Sequence, residues 1–457
     1  MTSLIIPGGA STAASSSVRL SNTETRLVEQ AKGVLRGNWL GYATKPAPHL
    51  YPYQWSWDSA FIAMGYAHYD QERAMQELRS LFDGQWTNGL LPHIVFHEWG
   101  NVDKVYFPGP DYWQTERSPY APRYVETSGI VQPPVHATAA LHIYRHAQDQ
   151  TLAHDFLSEL FPQLVAWHDY LYRERNLNQD GLIYIRHPWE SGQDNSPLWD
   201  RVMQRMVLTP DRVPSYTRVD TRHINAAERP SDADYDRYVY LLAHARDCHY
   251  DEALIQRDCP FLVQDVLFNA LLVQSNRDLA AIATLLGLDA SPFEQWAQQT
   301  TQSMNTTLWN PNDGSYLSYD LVTQETIPTC VASSFSPLYA QIPNADQAAE
   351  MITHLLSPSF QSSAFGKWAV PSCSRQEKGF CAHLYWRGPI WINLNWILCR
   401  GLQTYGYVAE AAQLRRTAVR MLKRSGFHEY FHPDSGDGLG SSHFSWSAAL
   451  LLDLILG

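Results

Sequence analysis

The chain is short of charge. Only 18% of its 457 residues are Asp, Glu, Lys or Arg, against an ordinary share of roughly 25%. The net charge of −12 is dispersed, without any long acidic or basic block, which excludes a phosphate-tracking surface or a polybasic membrane patch built from sequence neighbours. Nucleic acid and membrane surfaces are therefore not expected partners. Cysteine is also scarce. The six (Cys248, Cys259, Cys330, Cys373, Cys381, Cys399) contain no CxxC pair, which reads as reduced thiols of a cytoplasmic protein, with Cys373 and Cys381 the candidates for a short closed loop. Long hydrophobic runs are missing: the stretches 266–288 and 446–456 are broken by Gln274, Arg277, Asp278 and Asp453, so neither predicts a membrane span. The start, MTSLIIPGGASTAASSSVRL, has no basic segment, and its apolar stretch stops at Pro7, which argues against an export signal. The phosphate loops GxGxxG and GxxxxGK[ST] and the serine-hydrolase elbow GxSxG are absent too, leaving acid and base chemistry by carboxyl groups.

What the chain has is apolar mass with a helical period. Apolar residues make up 45%, enough for a large core, and the length predicts either several domains or one large closed architecture. Leu152, Phe156, Leu160, Leu164 and Leu171 line one face at helical spacing. Similar amphipathic patterns cover 22–36, 58–68, 70–83, 134–148, 231–247, 290–307 and 345–357. The stretches 261–286, 389–404 and 445–456 are apolar nearly all round, as helices buried on every side are. An inner ring of such helices inside an outer amphipathic ring, up to twelve at roughly 38 residues per helix and loop, predicts an all-α fold, a double-layered α/α barrel. Strand-like pieces such as 183–186 are short and few, against a parallel α/β sheet. The reading is a disordered tail over 1–20 and a single domain over 21–457. Its long aromatic-rich loops, 86–131, 186–230 and 364–388, are where function belongs on a rigid scaffold.

The chain carries 16 Trp, 25 Tyr and 16 Phe. Trp55, Trp57, Trp86, Trp99, Trp113, Trp189, Trp386 and Trp391 fall in loops or at helix starts. Flat aromatic faces beside carboxylates and amides suit the faces and hydroxyl edges of a sugar, although a large core also needs aromatics. In HPWESGQDNSPLWD (187–200), Ser196 and Pro197 have the form of a helix start. Asp194 just ahead of it reads as an anion stabilised by the helix dipole. For Asp194 to hold a proton instead, burial against Trp189 or Trp199, or repulsion from Glu190, has to win. Glu429 sits among aromatics in GFHEYFHPDSGDGLGSSHFSW, and Asp58 begins a helix in YPYQWSWDSAF. Each has an ordinary reading as well, a solvated loop carboxylate and a cap. Tyr385, Trp386, Arg387 and Trp391 gather at a loop-to-helix junction in AHLYWRGPIWINLNW. PHIVFHEW offers His93, His97 and Glu98 as zinc ligands, but Pro92, Ile94 and Val95 predict an extended segment, and the HExxH order is absent.

Taken in order along the chain, YPYQWSWDSAF, HPWESGQDNSPLWD, RPSDADYDRY (229–238), YWRGPIW (385–391) and HEYFHPDSGDGLGSSHFSW resemble glycoside hydrolase family 63. Within it they look most like the bacterial mannosylglycerate and glucosylglycerate hydrolases, from about residue 22 to the end of the sequence. The resemblance implies an (α/α)6 barrel and an inverting hydrolase of a small α-glycoside, with Asp194 as general acid and Glu429 as general base. Such a pair leaves room for water at a separation of roughly 6.5 to 9.5 Å. It further implies sugar contacts from Tyr51, Trp55, Trp57, Asp58, His93, Gln132, Trp189, Tyr385, Trp386 and Trp391, with Asp58 accepting from hydroxyls. Arg229, Tyr235 and Tyr106 would hold a glycerate end, and a planar guanidinium suits a carboxylate.

No metal and no organic cofactor is implied. The partner is a small-molecule glycoside, and a homo-oligomer is left open. The segment AFGKWAVPSCSRQEKGFCAHL (364–384) is expected to close over the site as a lid. Phe444 stands where glucosylglycerate hydrolases carry Gln, and Tyr53 and Gln54 also depart from the pattern, so glucose and mannose stay open. Two other readings remain: an α-glucosidase or trehalase-like hydrolase of a neutral disaccharide, with Arg229 structural, and a non-catalytic sugar-binding protein on the same scaffold. The presence of both Asp194 and Glu429 argues against the second.

Overall fold

The computed structural model describes residues 20–97, 106–361 and 369–457. Residues 1–19 of the expected tail, Glu98, Trp99 and residues 364–368 of the expected lid lie outside the described residues. The fold is mostly helical, and its helices separate by burial. Every residue of Ser56–Tyr66 is buried, and His136–His146, Val266–Leu285, Ile392–Thr404 and Ser445–Leu456 are buried over most of their surface. Asn22–Asn38, Gln71–Phe82, Gln150–Glu174, Ser291–Ser303, Ala345–Leu355 and Val408–Ser425 each bury one stripe. This is the division that all-round and one-sided apolar patterns impose.

The buried helices contact one another in a cycle. Ser56–Tyr66 packs on His136–His146, that helix on Val266–Leu285, Ile392–Thr404 on Ser445–Leu456, and the last back on Ser56–Tyr66. The gap between Val266–Leu285 and Ile392–Thr404 is filled by the 3-10 segment Ala332–Leu338, which touches both. The period reading missed this piece. Its sequence, ASSFSPL, contains Pro337, which removes a backbone donor, and three serines whose hydroxyls compete for the backbone.

Helix starts follow local chemistry. Ser21 with Glu24, Ser231 with Asp234, and Asn344 with Gln347 form reciprocal capping boxes. Val408–Ser425 went unpredicted because two of its buried positions are alanines and no side chain caps its start. The expected 261–286 helix begins only at Val266, since Val263–Gln264 pairs as a strand with Tyr184–Ile185. The expected 290–307 helix stops at Ser303 and widens into a π turn over Met304–Leu308. LWDRVMQRMVL yields only a 3-10 turn, Pro197–Trp199, and the short helix Asp200–Gln204. Arg205 just beyond it is drawn off by an ion pair with Asp320.

Two antiparallel pairings set up the site. Ile94–Phe96, extended as predicted, pairs with Gln54–Trp55 directly ahead of Ser56–Tyr66. His428–Phe431 pairs with Gly438–Ser442 ahead of Ser445–Leu456. No helix among the described residues is long and apolar enough to cross a membrane. All six cysteines, Cys373 and Cys381 included, are free.

Candidate active site

At the N-terminal ends of the buried helices lies a cavity with about 830 Å³ of atom-free space, its open mouth included. Tyr51, Trp55, Trp57, Asp58, His93, Tyr106, Gln132, Trp189, Asp194, Arg229, Tyr235, Tyr385, Trp386, Trp391 and Glu429 all line it. Every residue to which the family resemblance gave a role is thus brought to one place. Asp220, Gly192, Phe444 and Trp446 join them.

Glu429 lies on the strand His428–Phe431 and is buried. Its Oε1 accepts from the Tyr51 hydroxyl at 2.6 Å and its Oε2 from the Ser441 backbone N–H at 3.1 Å. Arg229 Nη1 stands 3.5 Å from Oε1. Burial raises the carboxyl above its usual range, while Arg229, Tyr51 and the Ser441 N–H oppose the rise. These contacts favour the anion, the form a base requires.

Asp194 is raised more strongly. Its pKa is pushed up to about 7, chiefly by burial, with the Glu429 charge adding to the rise and Arg229 opposing it. Desolvation outweighs the dipole of the short helical turn that follows. Of the causes the sequence offered, burial leads, and Glu190 is engaged elsewhere. Its two oxygens grip the guanidinium of the fully buried Arg175 at 3.0 Å each and also accept from the backbone N–H groups of Arg186 and Val131, which makes it a framework anion. Two carboxyls in one cavity, one raised much further than the other, are the usual mark of an acid and base pair. Asp58, in the first turn of Ser56–Tyr66, is raised well above the carboxylate range by burial and by Glu429.

The segment carrying Asp194 is pinned on both sides. Tyr238 donates to the Asp194 carbonyl at 2.8 Å, Trp199 Nε1 to the Gln193 carbonyl at 2.8 Å, and the Trp386 N–H to Asn195 Oδ1 at 2.9 Å. Ser196 caps Leu198 as the sequence suggests. Gly192 is required twice over. Its φ is +70°, and a Cβ there would lie 2.4 Å from the Trp57 ring. Gly192→Ala is expected to lower kcat on the order of 10²-fold by moving Trp57 and the Asp194 turn, and steady-state kinetics alongside thermal unfolding of the variant measures it.

Around the carboxyls, Trp386 and Trp391 stack at 3.6 Å with 2° between planes, and Trp57 and Trp446 meet edge to face. His93 faces Trp189 and holds Ser128 through Nδ1; burial keeps it neutral. His97 turns away to Gln54 Oε1 at 2.6 Å, so the two imidazoles of PHIVFHEW do not form a metal pair. Gln132 accepts from the Trp57 N–H at 3.2 Å. Tyr106 packs edge-on against Trp55, and Tyr235 against Trp189.

Arg229 lies 4.0 Å over the Tyr385 ring, donates through Nε to Asp220 at 3.2 Å and through Nη2 to Tyr51 at 3.2 Å. Its buried Nη1 faces Glu429 Oε1 at 3.5 Å without a hydrogen bond of its own. Asp220, overlooked in the sequence, orients this guanidinium and also pairs with Arg218. The only signal was its place among arginines in TRVDTRH.

Paired buried carboxyls inside an aromatic cavity are the equipment of a carbohydrate-active hydrolase. Residues 51–447 match the family described as Mannosylglycerate hydrolase MGH1-like glycoside hydrolase domain, and the chain belongs to these family 63 glycoside hydrolases. It is similar to the mannosylglycerate hydrolase of Rubrobacter radiotolerans, at 50% identity over 94% of this chain and 97% of that one. It is also similar to the glucosylglycerate hydrolase of Mycolicibacterium hassiacum, at 37% over 95% and 98%. The crystal structure of a mannosylglycerate hydrolase from Thermus thermophilus with Tris and D-glycerate superposes with a TM-score of 0.87, at 43% identity over 93% of this chain and 99% of that one.

Proposed function

We propose that the protein is an inverting α-glycosidase that cleaves a glycosyl-glycerate, mannosylglycerate or glucosylglycerate, to the free sugar and glycerate. The reading rests on one observation above the others: Asp194 is buried and pushed up to about 7, while Glu429, in the same cavity, accepts from the Tyr51 hydroxyl and the Ser441 N–H. Asp194 donates its proton to the glycosidic oxygen as the bond to the anomeric carbon breaks. Glu429 takes a proton from the water whose oxygen attacks that carbon from the opposite face. Asp194 is left ionised and Glu429 protonated, and exchange with solvent restores both. Trp57, Trp386 and Trp391 offer faces to the sugar ring, and Asp58, His93 and Gln132 polar edges to its hydroxyls. Arg229 Nη1, with Tyr106 and Tyr235, receives the glycerate carboxylate, a planar ion suited to a guanidinium. The cycle of buried helices with an outer partner to each is an (α/α)6 barrel, one position of it held by Ala332–Leu338, in a single catalytic domain over 21–457 with the loops around the mouth.

The test is NMR of the reaction with each glycerate glycoside and with a neutral α-disaccharide, in the wild type and Arg229→Ala. Release of β-anomer first from an α-linked glycosyl-glycerate is expected. Arg229→Ala should cost the charged substrate about 2 kcal/mol or more in kcat/KM relative to the neutral one. First appearance of the α-anomer overturns the roles of Asp194 and Glu429, and unchanged discrimination overturns the carboxylate clamp.

A further inference from the structure

We infer that the opposite end of the helix cycle carries a binding site for a first-row divalent transition metal, formed by His68, His142 and His146 and oriented by Asp453. Each histidine offers a ring nitrogen, and these nitrogens all lie within 4.8 Å of one another. Nitrogens bound to one tetrahedral zinc stand about 3.3 Å apart, so rotation of the rings by roughly an ångström at their tips completes the geometry.

The sequence places the ligands well. His142 and His146 are one turn apart on His136–His146, the spacing that points two imidazoles to the same side. His68 lies just past the C-terminal end of Ser56–Tyr66. Asp453 projects from the last turn of Ser445–Leu456, so three helices present their C-terminal ends here, the end whose dipole favours a cation.

The hydrogen bonds fix the rings as metal sites require. Asp453 Oδ1 stands 3.0 Å from His68 Nε2 and 3.3 Å from His142 Nε2. His146 uses Nδ1 on the His142 carbonyl at 3.0 Å, which leaves its Nε2 available. Arg400 and Trp396 take the other carboxylate oxygen, at 2.5 and 2.6 Å, so the Asp453 charge is already shared. The cation is then held mainly by neutral imidazoles, which suits zinc, nickel, cobalt or copper rather than calcium or magnesium. The hydrolytic step uses none of these groups. A metal here ties Ser56–Tyr66 to His136–His146 and is structural.

The test uses untagged full-length protein stripped with a chelator, then titrated with Zn2+ by calorimetry and with Co2+ by visible absorption. One Zn2+ per chain, a rise in Tm on binding and Co2+ ligand-field bands are expected. His146→Ala and His142→Gln should each weaken binding about tenfold or more. The half-buried His146 makes His146→Ala the decisive variant if His142→Gln fails to fold. Zinc binding that is absent, or equally tight in His146→Ala, overturns the site.

Discussion

Asp194→Asn is expected to fold normally and to lose hydrolysis by about 10³- to 10⁴-fold, the scale of a general acid's contribution. In the wild type, kcat/KM should fall as pH rises through about 7, where Asp194 gives up its proton, and should fall on the acid side as Glu429 is protonated. The same burial sets a stability signature of known sign. The folded pKa of Asp194 stands above its unfolded value of 3.8, so its contribution is fully present below that value and is lost as pH climbs through about 7. Above neutrality, an ionised Asp194 costs on the order of 2 to 4 kcal/mol, a cost Asn does not incur. Thermal unfolding from pH 4 to 8 should therefore show the inactive variant gaining on the wild type as pH rises. An unchanged difference across that range refutes the buried, protonated acid.

Glu190→Gln is the second large effect, on stability. Arg175 is enclosed by Glu190 on one side and Glu252 on the other, both at 3.0 Å, and Arg186 joins Glu252 at 3.0 Å. Tyr170 and Tyr184 donate to Glu252 as well. Two arginines and two glutamates cancel inside the protein, and removing one anion leaves a buried guanidinium without its bidentate partner. Loss of about 3 to 5 kcal/mol follows, read as a lower urea midpoint at unchanged slope. The alkaline limb near pH 7 should stay in place, because Arg175 cancels the Glu190 charge before it reaches Asp194. A limb that moves would return Glu190 to a share in holding the proton.

The apolar periods made the helical class legible, because an all-round pattern such as SWSAALLLDLIL has nowhere to go but the interior. Ala332–Leu338 was not legible, since its place depends on the neighbours that flank it, and Ser-Pro composition reads as loop. The site was legible only through motifs taken together. Asp194 by spacing alone is a residue ahead of a cap, and the burial that makes it an acid comes from chain remote in sequence, including Glu429 and Arg229. Glu190 was legible as a neighbour of Asp194, but its bond to Arg175 was not. Asp220 and Gly192 have meaning only beside Arg229 and the Trp57 ring, which no local pattern records.

The packing of Ser445–Leu456 on Ser56–Tyr66 also bears on how the chain is made. On the ribosome, Ser56–Tyr66 emerges about 390 residues before its partner, an interval of roughly 20 to 80 s at ordinary rates of synthesis. Until then the face that this buried helix turns to Ser445–Leu456 has no permanent cover. That waiting face is part of the cost of a fold that closes its cycle between helices so far apart in sequence.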